Sequence, residues 1–136
     1  LPSMRKEEAD LRDRAWAALD ELNLTDVAYS PAAGLPFGTL KRIELARALI
    51  ANPRLIMLDE PASGLTHAEV DSLAQDIKDL RDRHNLTVLL VEHHMRMVLG
   101  ISEKLVVLNF GRKIADGDPD VVRNDPEVIE AYLGSS

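Results

Sequence analysis

The sequence contains no cysteine, which excludes disulfides, thiolate chemistry and cysteine-based zinc sites. Aromatic residues make up only 4% of its 136 residues, so a core must be built from Leu, Ile, Val and Ala. No apolar run approaches the ~18–20 residues that a membrane-spanning helix needs. Basic residues are outnumbered, 16 Lys and Arg against 23 Asp and Glu, for a net charge of −7. That balance argues against non-specific nucleic-acid binding, which relies on Lys and Arg, and leaves docking to a basic surface open. Internal repeats and low-complexity tracts are absent. No secretory signal is visible, and the first residue is Leu1 rather than Met. The expectation is a processed or partial portion of something longer.

What is present is an ordinary globular composition, 46% hydrophobic and 29% charged, long enough for one compact domain with a core. An amphipathic helix is expected over residues 7–22, with Leu11, Ala15, Ala18, Leu19 and Leu22 on one face at steps of three and four. Trp16 lies at the edge of that stripe, as a packing residue. Asn23 and residues 26–33 form a connector. A second helix is expected over about 40–51, capped by Thr39 or Gly38 and stopped by Asn52-Pro53. A helix start preceded by a flexible Gly can hold an anion, although most such starts bind nothing.

The stretch over residues 55–66 organises the rest. Leu55, Ile56, Met57 and Leu58 show no alternation, which reads as a strand buried on both faces in a parallel sheet. It ends in Asp59 and Glu60, and Pro61 stops it. Successive strand side chains point to opposite sides, so one carboxylate can face a metal and the other a reacting water. Ligands in open α/β sheets sit at the carboxyl ends of strands. Taken alone, the pair is equally well explained as a solvated acidic turn. Thr66 and Glu69 match a capping box, opening a helix with Val70, Leu73, Ala74, Ile77 and Leu80 as its buried stripe and Asn85 in its closing turn. A second buried strand, 87–91, runs into Glu92-His93-His94. Strand, helix and strand form a right-handed βαβ unit, which would bring Asp59-Glu60 and Glu92-His93 to one sheet edge. A short helix (95–101), a third strand (105–108), a turn at Phe110-Gly111, an antiparallel return (112–115) and two short helices (119–123 and 126–133, the second capped by Asp125) complete the chain.

In this order the motifs resemble the nucleotide-binding (ATP-binding) subunit of ABC transporters over nearly the whole chain. Leu35-Pro36-Phe37-Gly38-Thr39 stands where that family has its signature Leu-Ser-Gly-Gly-Gln. Asp59 and Glu60 match the Walker B end and the catalytic glutamate, Ser63-Gly64-Leu65-Thr66 the D-loop, and His93 the switch histidine. The signature, Val91-Glu92-His93-His94-Met95 and the C-terminal residues 128–134 look most like importers of branched-chain or other hydrophobic amino acids.

The resemblance implies an α/β, P-loop NTPase-like (RecA-like) fold, a parallel sheet flanked by helices. Residues 1–52 would be part of the ABC helical subdomain with the signature helix. Residues 53–108 would be the RecA-like core, and 109–136 a hairpin with short helices. It implies ATP and Mg²⁺ as cofactors, Asp59 holding Mg²⁺ through its water shell, Glu60 as general base and His93 at the γ-phosphate. The signature residues would face ATP bound to a second nucleotide-binding subunit, and Ser63-Gly64-Leu65-Thr66 would lie along the same dimer seam. Transmembrane permease subunits would hold the protein on the cytoplasmic face of the membrane, with no role for nucleic acid.

The sequence departs from that pattern in several places. It contains no G-x-x-x-x-G-K-[ST], so the Walker A half is missing and the chain as given is expected to be inactive alone. Pro36, Phe37 and Thr39 replace the signature Ser, first Gly and Gln, and Thr66 replaces the D-loop Asp. His67, His84 and His94 have no matched role and are expected to be solvated. The alternatives are a non-catalytic regulatory or assembly module, or the ATPase of a urea-type importer or a lipid-export system.

Overall fold

The computed structural model describes residues 2–134. It divides into two compact units, Leu1–Val91 and Glu92–Ser136, taken here in turn.

The first unit opens with α1 (Pro2–Glu21), which begins five residues before the expected start. Apolar periodicity is not what extends it. Met4, Arg5, Lys6, Glu7, Glu8 and Ala9 include strong helix formers, and ion pairs one turn apart (Glu8–Arg12 at 3.7 Å, Asp10–Arg14 at 2.9 Å) add support. Only the far end of the expected stripe is buried: Ala18 and Leu22 are in the core, while Leu11 is exposed. Trp16 is half exposed and lies 6.1 Å from the Tyr29 ring. The helix closes where Asn23 turns left-handed (φ 55°) and the Leu24 N–H donates to the Leu19 carbonyl at 2.8 Å.

The second helix, α2 (Phe37–Ile50), also starts earlier than expected, with Pro36 and not Thr39 or Gly38 at its N-cap. The ring sets Pro36 at φ −55° with an extended ψ of 145°, and proline has no N–H to leave unpaired there. Its carbonyl accepts the first helical bond, from Leu40 N–H at 3.1 Å. Phe37, Gly38 and Thr39 therefore form the first helical turn. Leu45, Ala46 and Leu49 are buried in this helix; Leu40, Ile43 and Ile50 are only half-buried.

Strand β1 (Leu55–Asp59) pairs in parallel with β2 (Thr87–Val91), in register from Leu55 opposite Thr87 to Asp59 opposite Val91. The crossover is α3 (His67–His84). Its capping box, buried stripe and left-handed Asn85 C-cap match the expected ones. The strands themselves differ from expectation, since they are covered on one face only. Ile56 is buried and Leu58, Val88 and Leu90 are half-buried, while Leu55, Met57, Leu89 and Val91 are 50–71% exposed. Among the described residues the sheet has two strands, and covered and exposed side chains alternate along each of them.

The second unit contains α4 (Met95–Ile101), the antiparallel hairpin β3 (Leu105–Asn109) and β4 (Arg112–Gly117), α5 (Pro119–Val122), α6 (Pro126–Val128) and a closing π-turn over Ile129–Leu133. Phe110 (φ 48°) and Gly111 (φ 77°) make the two-residue turn. Left-handed geometry at both positions matches the twist of the flanking strands. A register shift at Val107/Leu108 carries β4 on to Gly117, beyond the expected 115. Leu105, Val122 and Val128 are its buried centre, and Asp125 caps α6 by accepting Glu127 N–H at 2.9 Å.

Leu80 is 2% exposed and Leu11 50%. Leu80→Ala should therefore destabilise the protein by about 2–5 kcal/mol, and Leu11→Ala by no more than about 0.5 kcal/mol. Urea denaturation of both variants checks this.

Candidate functional site

Asp59 ends β1 and Glu60 is the first residue beyond it, a correction to the expected strand end at residue 60. Glu60 turns left-handed (φ 45°), a region that costs a non-glycine residue about 1–2 kcal/mol. The surroundings hold it there. Its N–H donates to the Val91 carbonyl at 2.8 Å, and its own carbonyl accepts Ser63 N–H at 3.1 Å. Pro61 is buried and Ala62 has no exposure at all. The chain thus leaves the sheet in a pinned turn, with both carboxylate residues exposed at the carboxyl end of a parallel pair. Among the described residues no protein group engages the Asp59 carboxylate. An exposed hard oxygen donor of this kind fits Mg²⁺, which keeps most of its waters and takes one or two carboxylates.

The turn at residues 35–39 and the turn at residues 63–66 meet within this unit. A Cβ on Gly38 would lie 3.0 Å from Glu69 Oε1, and a Cβ on Gly64 would lie 3.0 Å from the Phe37 ring. Glu69 is the far half of the capping box: its Oε2 accepts the Thr66 N–H and the Thr66 hydroxyl, each at 2.8 Å. One turn further along α2, Arg42 donates from Nε to Asp76 at 2.6 Å and from a terminal nitrogen to the Ser72 hydroxyl. Pro36, Gly38, Thr39, Arg42, Glu69 and Ser72 line the cleft between the two helix starts. The first-turn amides of α2 have no intrahelical acceptor, so an anion can still be met there despite the altered signature. Neither Arg42 nor Glu69 was singled out from sequence for this position. The i to i+3 capping signal located Glu69 on its own helix, but no local pattern reports a contact between helices.

In the second unit, Glu92, His93 and His94 form a compact turn. The Glu92 side chain is fully buried, and its Oε2 accepts His93 N–H at 3.0 Å and His94 N–H at 3.3 Å. His94 Nδ1 lies 3.1 Å from the same oxygen. His93 is the more exposed imidazole, at 58%. His94 is therefore not simply solvated, and neither is His84, whose Nε2 sits 2.8 Å from Glu21 Oε2. His67 is exposed at the head of α3.

Known proteins place this architecture. A family model described as ABC transporter matches residues 1–63, and one described as branched-chain amino acid ATP-binding cassette transporter matches residues 112–136. The high-affinity branched-chain amino acid transport ATP-binding protein BraF of Pseudomonas aeruginosa is 45% identical over 135 residues, 99% of this chain and 53% of that protein. The lipopolysaccharide export system ATP-binding protein LptB of Haemophilus influenzae is 37% identical over 133 residues, 98% of this chain and 52% of its own length. A crystal structure of the ADP conformation of an ATP-binding cassette of an ABC transporter aligns with a TM-score of 0.82 at 30% identity, covering 92% of this chain and 50% of that one. The fold is that of about half of an ATP-binding cassette. The chain belongs to the ABC transporter ATP-binding family and is similar to branched-chain amino acid transport ATP-binding proteins. It spans about half the length of the curated relatives it matches.

Two outcomes follow from the packed turns. Gly64 has φ 79° and faces Phe37. Gly64→Ala should destabilise by more than about 1 kcal/mol, and adding Phe37→Ala should recover only the part due to the clash, as read from urea midpoints. The Glu69 carboxyl is held below the ordinary carboxylate range, first by the Thr66 N–H and then by the Thr66 hydroxyl; desolvation opposes these two, and the charge of Arg42 adds a smaller lowering. Folding lowers this pKa, so its stabilisation is present above the unfolded carboxyl range and is lost as pH falls through the lowered folded value. Melting temperatures should therefore drop more steeply below about pH 4.5 in the wild type than in Glu69→Gln.

Proposed function

We propose that this chain is part of the ATP-hydrolysing subunit of an importer for branched-chain or other hydrophobic amino acids. The observation that carries this reading is the pinned Asp59-Glu60 turn at the carboxyl end of a parallel pair, in a chain 45% identical to a branched-chain amino acid transport ATP-binding protein. Phosphoryl transfer needs chiefly positioning and charge neutralisation. In this reading Asp59 would hold Mg²⁺, which would supply charge neutralisation at the phosphates. Glu60 takes the proton of the attacking water, its backbone held left-handed and tied to Val91. His93 meets the γ-phosphate. Leu35, Pro36, Phe37, Gly38 and Thr39 face ATP on an opposing subunit, and Ser63, Gly64, Leu65 and Thr66 follow the same seam.

Residues 1–52 then serve as helical subdomain, 53–108 as RecA-like core and 109–136 as the C-terminal extension. The partners are a second ATP-binding subunit and membrane permease subunits, and the working place is the cytoplasmic face of the membrane. The similarity to LptB supports a lipid-export motor as the second reading. Solute or lipid stimulation of ATPase activity in the complex with its permease separates the two.

Residues 1–136 carry no G-x-x-x-x-G-K-[ST] loop to cradle the phosphates. Calorimetric titration of this chain alone with Mg-ATP should therefore show no tight binding. In a protein that also supplies that loop, Glu60→Gln should retain ATP and lower kcat at least about 100-fold. Turnover near wild type in that variant would remove Glu60 as the base.

A further inference from the structure

The turn after β2 holds a donor set that the proposed hydrolysis uses only in part. Glu92, His93 and His94 each offer a ligand atom, and these atoms lie within 4.8 Å of one another. We propose that these three residues bind a divalent transition-metal ion of the zinc class. Two imidazole nitrogens and one carboxylate oxygen suit Zn²⁺, Ni²⁺ or Cu²⁺, whereas Mg²⁺ and Ca²⁺ favour oxygen ligands alone.

The geometry supplies the preorganisation. The fully buried Glu92 side chain is the base of the site, fixed by the His93 and His94 backbone N–H groups at 3.0 and 3.3 Å. His94 Nδ1 and His93 Nδ1 lie 3.1 and 4.0 Å from Glu92 Oε2, and the two ring centroids are 4.7 Å apart. With His93 58% and His94 30% exposed, the ion is reachable from solvent. The rings can rotate to the metal–nitrogen distance of about 2.0–2.1 Å, leaving a fourth position to water.

His84 is a different environment, since its partner Glu21 also pairs with Arg83 at 3.1 Å. If His93 serves the phosphate step, as the proposed function has it, an ion held here withdraws it and opposes hydrolysis. The binding itself does not depend on that reading.

Titration of the metal-free chain with ZnCl₂, followed by calorimetry and imidazole NMR, tests the site. We expect saturation at one equivalent, shifts confined to the His93 and His94 rings, and no response to MgCl₂. His93→Ala and His94→Ala should each weaken binding at least about tenfold, while His67→Ala and His84→Ala should leave it unchanged. Both ligand histidines are partly exposed, and a thermal melt verifies that each variant is folded. Absence of saturable binding, or wild-type affinity in the folded His93→Ala/His94→Ala double variant, overturns the proposal. No nucleotide enters the titration, so that failure would leave the ATPase reading standing.

Discussion

The parallel pairing of β1 with β2 is the constraint on which the rest of the candidate site depends. Five residues of register, Leu55–Thr87 to Asp59–Val91, set which face each side chain takes. A slip of one residue would reverse every one of them and would carry Asp59 to the other side of the sheet. The bond from Glu60 N–H to the Val91 carbonyl extends that register one step past the strand. It holds a glutamate in a backbone conformation that a free chain would rarely adopt. Buried Pro61 and Ala62 anchor the following turn from below, and the capping box of α3 begins at once after it. Strand, strained residue, turn and helix start are one continuous device for presenting two carboxylates.

The departures from the family's signature and D-loop pattern have structural roles that fit one another. Pro36 serves as the α2 N-cap, a place where a missing N–H costs little. Phe37 packs on Gly64, which has no side chain to obstruct it. Thr66 caps α3, and the Glu69 that completes its box lies against Gly38. Arg42 ties the next turn of α2 to Ser72 and Asp76. The turn that would face a phosphate and the turn that would face a partner subunit are thereby packed together. A methyl group added at Gly38 or Gly64 would push Glu69 or Phe37 aside by a few tenths of an ångström.

Much of this was legible in the sequence where the signal is local. The α3 stripe, its capping box and the left-handed Asn85 depend on residues three or four apart. The Phe110-Gly111 hairpin and the Asp125 cap are similarly short-range. The errors share the opposite origin. The start of α1 lies ahead of its apolar pattern because helix propensity and one-turn ion pairs extend it there. The α2 start was misplaced because Thr and Gly are the commoner caps, while here the fixed φ of Pro36 prevails. Leu45 is buried and Ile43 only half-buried because the face α2 buries is set by its neighbours.

The amino-acid order by itself determined the succession of elements, the ends of α3, the family and the identity of the two carboxylates, since each follows from spacing along one chain. Only the tertiary structure decided that one face of β1 and β2 is left uncovered, that Glu60 sits left-handed against Val91, and that Glu69 and Phe37 close on Gly38 and Gly64. Those features depend on which surfaces meet. Contacts between residues up to about thirty positions apart leave no periodic trace in either segment.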